Sequence, residues 1–160
     1  MQLKCQASFD DVPGSSARPQ TLTLIIGKHN VRNYSLTGRA TKGYFAYVVG
    51  QKRLVFLKLS WRPNSPNIPA EHVTYQMLYD AEVPNIPQLA AGEDACHRSG
   101  EKLRTRTQEF MTGDKPLERL QYRLVVETLG LPLSEYVDSY ALVCVIRDAV
   151  AGASYVLYII

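Results

Sequence analysis

The strongest constraint on the fold of this chain is a pair of strand-like segments joined by a very short turn. Residues 44–49 and 54–61 are rich in aromatic and aliphatic side chains, and Gly50 lies in the few residues between them. Segments connected so closely pair in an antiparallel arrangement. An apolar, β-branched segment at 21–26 and a shorter one at 34–37 precede this pair. The first third of the chain therefore predicts an antiparallel β-meander.

The segment after the meander changes from strand to helix periodicity. A cluster of prolines at 63–69 ends the sheet, and Asn67 is expected to cap a helix that tolerates Pro69 in its first turn. Small and apolar residues at helical spacing predict the buried face of this helix. These residues are Ala70, Thr74, Met77, Leu78 and Ala81.

The rest of the chain mixes short strands with helices. Three further strands are predicted, at 88–91, 104–111 and 121–128. A short helix is expected at 134–136, and Asp138 or Ser139 is expected to cap a longer helix that runs through residue 151. Residues 1–20 contain turn-forming Asp, Pro, Gly and Ser, which predicts a flexible leader. The fold class that follows is α+β, with a twisted antiparallel sheet.

Composition is that of an ordinary globular domain. The 160 residues include 46% hydrophobic side chains and carry a net charge of +3, which is too small to indicate nucleic-acid binding. Neither a secretory signal nor an apolar run of membrane-spanning length is visible, so an intracellular location, cytoplasmic or nuclear, is expected. The three cysteines are far apart, which indicates reduced thiols and no metal site.

A glycine-bounded turn precedes a strand that carries a lysine on its apolar face. The turn is Gly38-Arg39-Ala40-Thr41-Lys42-Gly43, and glycines let backbone N–H groups approach phosphate oxygens closely. A plain hairpin turn is the alternative interpretation. Strand alternation places Lys58 on the same face as Leu54 and Phe56, where a lysine requires an anionic partner. A lysine that extends to solvent at a sheet edge is the alternative there.

Glu71 is the candidate partner of Lys58. At about 100° per residue, Glu71 lies at the border of the apolar stripe of its helix, where a carboxylate is only partly solvated. An ion pair between the two side chains would hold the lysine where it reaches the α- and β-phosphates of ATP. Lys58 and Glu71 are therefore the catalytic candidates.

Ordered blocks of this sequence resemble the fungal-type protein kinase domain from about residue 21 to about residue 152. They include Leu-Thr-Gly-Arg-Ala-Thr-Lys-Gly at 36–43, Val-Phe-Leu-Lys at 55–58 with Ser-Trp-Arg at 60–62, and Ile-Pro-x-Glu at 68–71. Later blocks lie at 106–110, 122–125, 130–135 and 146–149. Their number and order make the resemblance specific.

The resemblance implies a protein-kinase-like N-lobe and hinge over residues 21–130, in which the helix of Glu71 corresponds to αC. Residues 131–160 would then begin the C-lobe. Val126 corresponds to the gatekeeper. The resemblance implies ATP as the cofactor, with Mg²⁺ in a complete domain, and protein as the substrate. The implied ATP-contacting residues are Gly38, Ala40, Gly43, Lys58, Glu127 and Leu129, and no residue is implied as a metal ligand.

Three positions depart from the pattern of the resemblance. Ala40 replaces the middle glycine of the loop, and Leu59 stands where the family usually has an acidic residue. Phe56 occupies the place of a small alanine that general kinases keep against adenine. We expect the Phe56 ring to narrow the pocket.

The catalytic segments of kinases are not found in the sequence. Residues 153–160 read Ala-Ser-Tyr-Val-Leu-Tyr-Ile-Ile, and neither His-Arg-Asp nor Asp-Phe-Gly occurs. The expectation is a truncated protein Ser/Thr kinase fragment that is inactive as it stands. A non-catalytic, pseudokinase-like module that binds a nucleotide or a protein is the alternative, and an unrelated α+β interaction domain remains if Lys58 and Glu71 lie far apart. The apolar helix that begins near residue 139 is expected to drive self-association.

Overall fold

The computed structural model describes residues 2–7, 20–32, 38–130 and 132–159. Within these residues, seven strands form one sheet, and two α-helices occur. The strands are β1 (Gln2–Ala7), β2 (Gln20–Ile26), β3 (Val31–Arg32), β4 (Lys42–Val48), β5 (Arg53–Pro63), β6 (Leu89–Asp94) and β7 (Arg119–Val126). The helices are α1 (Glu71–Asp80) and α2 (Ser139–Ile159), and single 3-10 turns lie at Thr107–Glu109 and Leu133–Glu135.

The sheet is antiparallel and curled. Its strand order is β1-β2-β4-β5-β7-β6, with β3 also paired to β4. Strands β2 and β3 pair with opposite ends of β4, so they run along it as one interrupted strand. Strands β1 and β6 stand at the two ends of the order, yet they lie close together. The sheet therefore curves around the apolar side chains on its inner face.

The predicted hairpin is the centre of this sheet. Strands β4 and β5 pair from Lys42 opposite Leu59 to Val48 opposite Arg53. Gly50, in the connecting turn, has a φ of +89°, a value that a residue without a Cβ adopts at little cost. The predictions of the β-meander, of the strand near 88–91 and of the strand near 121–128 are confirmed, with slightly different limits.

Two apolar clusters lie on opposite faces of the sheet because side chains alternate along each strand. The inner cluster consists of Leu22, Leu24, Ile26, Ala46, Val48, Val55, Leu57, Ala91 and Val125. The outer cluster consists of Tyr122, Leu124 and Val126, with Phe56, Ala70, Tyr75 and Leu89 packed against it. Since Ala70 and Tyr75 come from the start and the first turns of α1, the outer cluster positions this helix on the sheet.

The predicted details of α1 are partly wrong. Asn67 is not its cap: the N-cap is Ala70, which provides no side-chain hydrogen bond, and Pro69 precedes the first turn rather than occupying it. Thr74 and Met77, predicted to be buried, are exposed. The contacts of α1 with the sheet include Tyr75, which packs against the outer cluster, and His72, which is hydrogen-bonded to Tyr122. The spacing of small and apolar residues identified neither.

Two other local predictions are corrected. Gln2–Ala7 is not part of a loose leader, because it forms β1 and pairs with β2 along its length. Leu3, Cys5 and Ala7 alternate with polar residues, a strand pattern that the neighbouring turn residues concealed. Residues 104–111 form a single bridge and a 3-10 turn instead of a strand. The strand predicted at 34–37 and residues 8–19 lie outside the described residues.

The long helix predicted near the end of the sequence is α2. Asp138 caps it, since its Oδ1 accepts a hydrogen bond from the N–H of Ala141 at 2.7 Å, and the helix extends beyond the predicted residue 151. Several large apolar side chains of its described part are exposed: Tyr140, Val143, Val145, Ile146 and Val150. Within the described residues, no helix combines the length and the apolar character that crossing a membrane requires.

Candidate functional site

The strand lysine and the helix glutamate predicted from the sequence form an ion pair. Lys58 lies in β5, opposite Gly43 of β4 and Leu124 of β7. Its Nζ donates hydrogen bonds to both Oε1 and Oε2 of Glu71, each at 2.8 Å. The two side chains remain 27% and 32% exposed, so solvent reaches both charges. The prediction of this pair is confirmed, and the alternative in which the two residues lie far apart is wrong.

A large open pocket lies next to this ion pair. Its volume is about 680 Å³, which is within the range of pockets that hold small molecules and cofactors. Its lining combines the ion pair with a mostly apolar wall. The lining residues are Asn30, Phe45, Phe56, Lys58, Glu71, Tyr75, Pro87, Leu124, Val126, Thr128, Gly130, Pro132 and Glu135.

Two phenyl rings form part of the apolar wall. Phe45 and Phe56 are opposite each other in the β4–β5 register, and their rings meet edge to face with centroids 6.3 Å apart. Phe56 is also opposite Val126, the residue at the predicted gatekeeper position. Phe56 lines the pocket without closing it. Across the pocket, burial and the nearby charge of Glu71 raise the pKa of Tyr75, which keeps its hydroxyl protonated.

The glycine-bounded segment 38–43 lies beside the site but not on the wall of the large pocket. Its last two residues, Lys42 and Gly43, belong to β4 and not to the turn, which is shorter than predicted. Gly38 and Ala40 have φ values of +99° and +42°, so both adopt left-handed conformations. The carbonyl of Arg39 accepts a hydrogen bond from the N–H of Trp61 in β5 at 2.8 Å, which attaches the turn to the strand of Lys58. Gly38, Ala40 and Gly43 are not among the described residues that line the pocket.

The predicted hinge follows β7 at the other end of the pocket. The N–H of Glu127 donates to the carbonyl of Gln88 at 2.8 Å, and its carboxylate pairs with Arg53 at 2.5 Å. Leu129 is exposed and does not line the pocket, whereas its neighbours Thr128 and Gly130 do. Thr128 and Gly130 of the predicted hinge therefore line the pocket, although Glu127 and Leu129 do not.

A hydroxyl of the sheet holds the first turn of α1. Tyr122 of β7 accepts a hydrogen bond from the backbone N–H of His72 at 2.9 Å, and its Oη also lies 2.9 Å from His72 Nδ1. The two rings stack, with centroids 5.9 Å apart. On the adjacent strand β6, a Cβ added to Gly92 would lie 2.3 Å from the Cβ of His72. Helix α1 thus begins in direct contact with two strands, at the residue next to Glu71.

A second cation on the same face of β5 is held by an acid of β6. Arg62 Nε and Nη2 donate to the two carboxylate oxygens of Asp94 at 2.6 and 2.7 Å, and Lys102 Nζ donates to Asp94 at 2.9 Å. Burial alone would raise the pKa of Asp94, but the hydrogen bonds from Arg62 and Lys102 outweigh it and hold the pKa below its ordinary value. A small cavity of about 220 Å³ lies between Arg39, Lys58 and Arg62.

These features define a class of protein. A curled antiparallel sheet, one packed helix and an ion pair between a strand lysine and that helix's glutamate form a protein-kinase-like N-lobe. The chain belongs to the fungal protein kinase family, because the family model described as fungal protein kinase matches residues 11–158. This match confirms the resemblance and extends beyond both of its predicted limits. No curated protein and no solved structure matches the chain.

Several residues of the site were not identified from the sequence. Phe45 had a detectable signal, because it follows Gly43 by two residues on the same strand and general kinases have a valine there. Tyr122 and His72 had none, since the contact between them depends on how α1 crosses β7. The close approach at Gly92 likewise had no signal in the local sequence.

Proposed function

We propose that these residues form the ATP-binding lobe of a protein kinase that transfers phosphate to Ser or Thr of a protein. In this proposal Lys58 contacts the α- and β-phosphates, and Glu71 holds the lysine in place. Adenine occupies the apolar part of the large pocket, against Phe56 and Val126. Backbone groups of the hinge segment 127–130 recognise the adenine edge.

The observation that carries the proposal is the position of the ion pair at one end of an apolar pocket. ATP requires both environments, since its triphosphate needs cations and its base needs apolar surfaces with a few polar groups. Lys58 and Glu71 line the same pocket as Phe56 and Val126. Its volume of about 680 Å³ leaves room for a nucleotide despite the two phenylalanines.

The segment from Gly38 to Gly43, a turn that leads into β4, is proposed to cover the phosphates. Two observations support this role. The hydrogen bond between Arg39 and Trp61 attaches the segment to β5, and the segment lies beside the cavity that Arg39 and Lys58 line. Within the described residues, no group of three His, Cys, Asp or Glu side chains is arranged to hold a metal, and no residue of this chain is assigned to Mg²⁺.

The test is a calorimetric titration with ATP and Mg²⁺, combined with thermal shift. Lys58→Met is expected to weaken binding about ten- to a hundredfold, because it removes a charged hydrogen-bond donor to the phosphates. Lys115→Met is the matched control, since Lys115 is exposed in a loop far along the chain. An unchanged melting temperature of the unmutated chain at millimolar ATP would exclude a nucleotide role.

A non-catalytic binding module is the second candidate. The observations that favour it are two departures from the kinase pattern at the nucleotide site, where Ala40 replaces the middle glycine of the loop and Phe56 stands in the place of a small alanine. In this second proposal the site binds ATP without transferring its phosphate. Phosphate incorporation into a generic protein substrate, abolished by Lys58→Met, would contradict this.

We also propose that the apolar surface of α2 drives self-association of the 160-residue chain. Tyr140 is 78% exposed and Val143 is 62% exposed, and Ile146 and Val150 lie on the same side at helical spacing. Sedimentation should detect oligomers whose dissociation is favoured by Val143→Glu. A monomer at all concentrations would remove this proposal.

A further inference from the structure

We propose that Tyr122 is a positioning residue for the ATP site: its hydroxyl fixes the first turn of α1 and thereby sets where Glu71 meets Lys58. The inference rests on the proposed function, which assigns Lys58 and Glu71 to the nucleotide. Tyr122 does not line the large pocket, but it lines the small cavity together with Lys58 and Glu71. Its proposed effect on Glu71 passes through His72, the residue that follows Glu71.

The contact acts at the point where α1 is least supported by its own residues. The first N–H groups of a helix have no partner within the helix, and a capping side chain usually provides one. The N-cap of α1 is Ala70, which has no side chain able to do so. The Tyr122 hydroxyl accepts the hydrogen bond from the His72 N–H instead, so a side chain of β7 takes the place of a capping residue.

The strand that provides this hydroxyl is rigidly connected to the strand that carries Lys58. Tyr122 is 1% exposed and lies in β7, which pairs with β5 along eight consecutive residues. In that register Tyr122 is opposite Ser60, and Leu124 is opposite Lys58. The lysine and the hydroxyl that anchors its partner helix are therefore held at a constant separation by the sheet.

Gly92 limits the position of α1 from the other side. It lies in β6, opposite Leu124 of β7, and any side chain there would overlap His72. His72 thus lies between Gly92 of β6, which has no side chain, and Tyr122 of β7, whose hydroxyl contacts it. None of the residues of α1 is fully buried, so these contacts at its first turn carry more of its positioning than deep packing does.

The test is Tyr122→Phe, which removes the hydroxyl and keeps the ring. We expect ATP binding to weaken about three- to tenfold, because the variant loses the hydrogen bonds that hold Glu71 in position to pair with Lys58. Tyr79→Phe is the matched control. The Tyr79 hydroxyl also makes two hydrogen bonds, to Pro87 O and from Leu89 N, but at the opposite end of α1 from Glu71. Tyr79→Phe should lower the melting temperature about as much as Tyr122→Phe does. It should leave ATP affinity within about twofold of that of the unmutated chain.

A double-mutant cycle separates positioning from a general loss of stability. In a Glu71→Gln background the lysine no longer has its carboxylate partner, so Tyr122→Phe should cause no further loss of ATP affinity. An additional loss of the same size in that background would show that Tyr122 acts independently of Glu71 and would overturn the proposal.

A second readout does not require ATP. Mass spectrometry after brief acetylation reports the reactivity of the Lys58 amine, and hydrogen exchange reports the His72 amide. Tyr122→Phe should raise both, and Tyr79→Phe should raise neither. If the unmutated chain fails to bind ATP but these changes occur, the positioning role stands and the nucleotide proposal fails. If Lys58 reactivity is unchanged in Tyr122→Phe, the positioning role fails.

Discussion

The two faces of strand β5 differ in burial and in chemistry, although they are built from alternating residues of one segment. Val55 and Leu57 point into the inner cluster and are fully buried. Phe56 and Lys58 point toward α1 and the large pocket, and both keep contact with solvent. The inner face holds aliphatic side chains, whereas the outer face holds an aromatic ring and a charge.

The difference indicates that the inner face of β5 contributes most to stability, whereas the outer face carries the candidate site. Fully burying one aliphatic side chain contributes about 1.5–3 kcal/mol, and the inner cluster contains many. A partly exposed ion pair such as Lys58–Glu71 contributes about 0–1 kcal/mol. The inner face can therefore support the fold while the outer face keeps a solvent-accessible charge and an open pocket. The four predictions below test this separation.

The largest effect is expected on the inner face. Leu57→Ala removes a side chain that is 0% exposed and should lower the free energy of unfolding by about 2–5 kcal/mol, since it leaves a cavity. Urea denaturation measures the change. Leu54→Ala, on the outer face and 54% exposed, is the control and should have a small effect. Equal losses for the two variants would contradict the asymmetry between the faces.

The next effect concerns the contact of α1 with the outer face. Gly92→Ala places a Cβ against His72, so α1 must move, and we expect a loss of about 1–3 kcal/mol in unfolding free energy from overpacking. Gly27→Ala is the control, because nothing lies within 4 Å of a Cβ there. If Gly92→Ala is as stable as Gly27→Ala in thermal unfolding, α1 does not lie as close to β6 as described.

A smaller and pH-dependent effect is expected at Asp94. The pKa of Asp94 is lower in the folded chain than in the unfolded chain. The contribution of Asp94 to the free energy of unfolding is therefore complete above about pH 4 and is lost as the pH falls through the folded-state pKa. Asp94→Asn should cost about 1–2 kcal/mol at neutral pH because Arg62 loses its charged acceptor.

The measurement for Asp94 is urea unfolding across the acidic range. The gap between the unmutated chain and Asp94→Asn should narrow as the pH falls below about 4. Asp114→Asn, in an exposed loop, is the control. A gap that stays constant down to low pH would show that Asp94 contributes by packing rather than by its charge.

The smallest stability effect is expected for Lys58 itself. Lys58→Met should change the free energy of unfolding by no more than about 1 kcal/mol, because the pair it breaks is partly exposed. The same variant is expected to lose ATP affinity, as proposed above. Chemical denaturation and titration of one preparation compare the two. A large destabilisation would mean that the outer face also carries the stability of the lobe.

Much of the fold could be predicted because its elements are short and local. The hairpin of β4 and β5 follows from two apolar segments and a short turn with Gly50, and the Lys58–Glu71 contact follows from strand alternation and helix spacing. The cap of α1 could not be predicted in this way. Asn67 is a good capping residue by type, but the sheet provides the acceptor for the first turn through Tyr122.

Sequence periodicity is enough to show which residues share a face, because backbone geometry sets the periods of strands and helices. Lys58 and Phe56 had to lie together, and Glu71 had to lie at the edge of its helix. What those faces meet depends on tertiary contacts: the hydroxyl of Tyr122 against His72, the space left by Gly92, and the pocket that Phe56 lines together with Thr128 and Gly130. These contacts depend on how strands distant in sequence curl around one another, and no local pattern specifies that curvature.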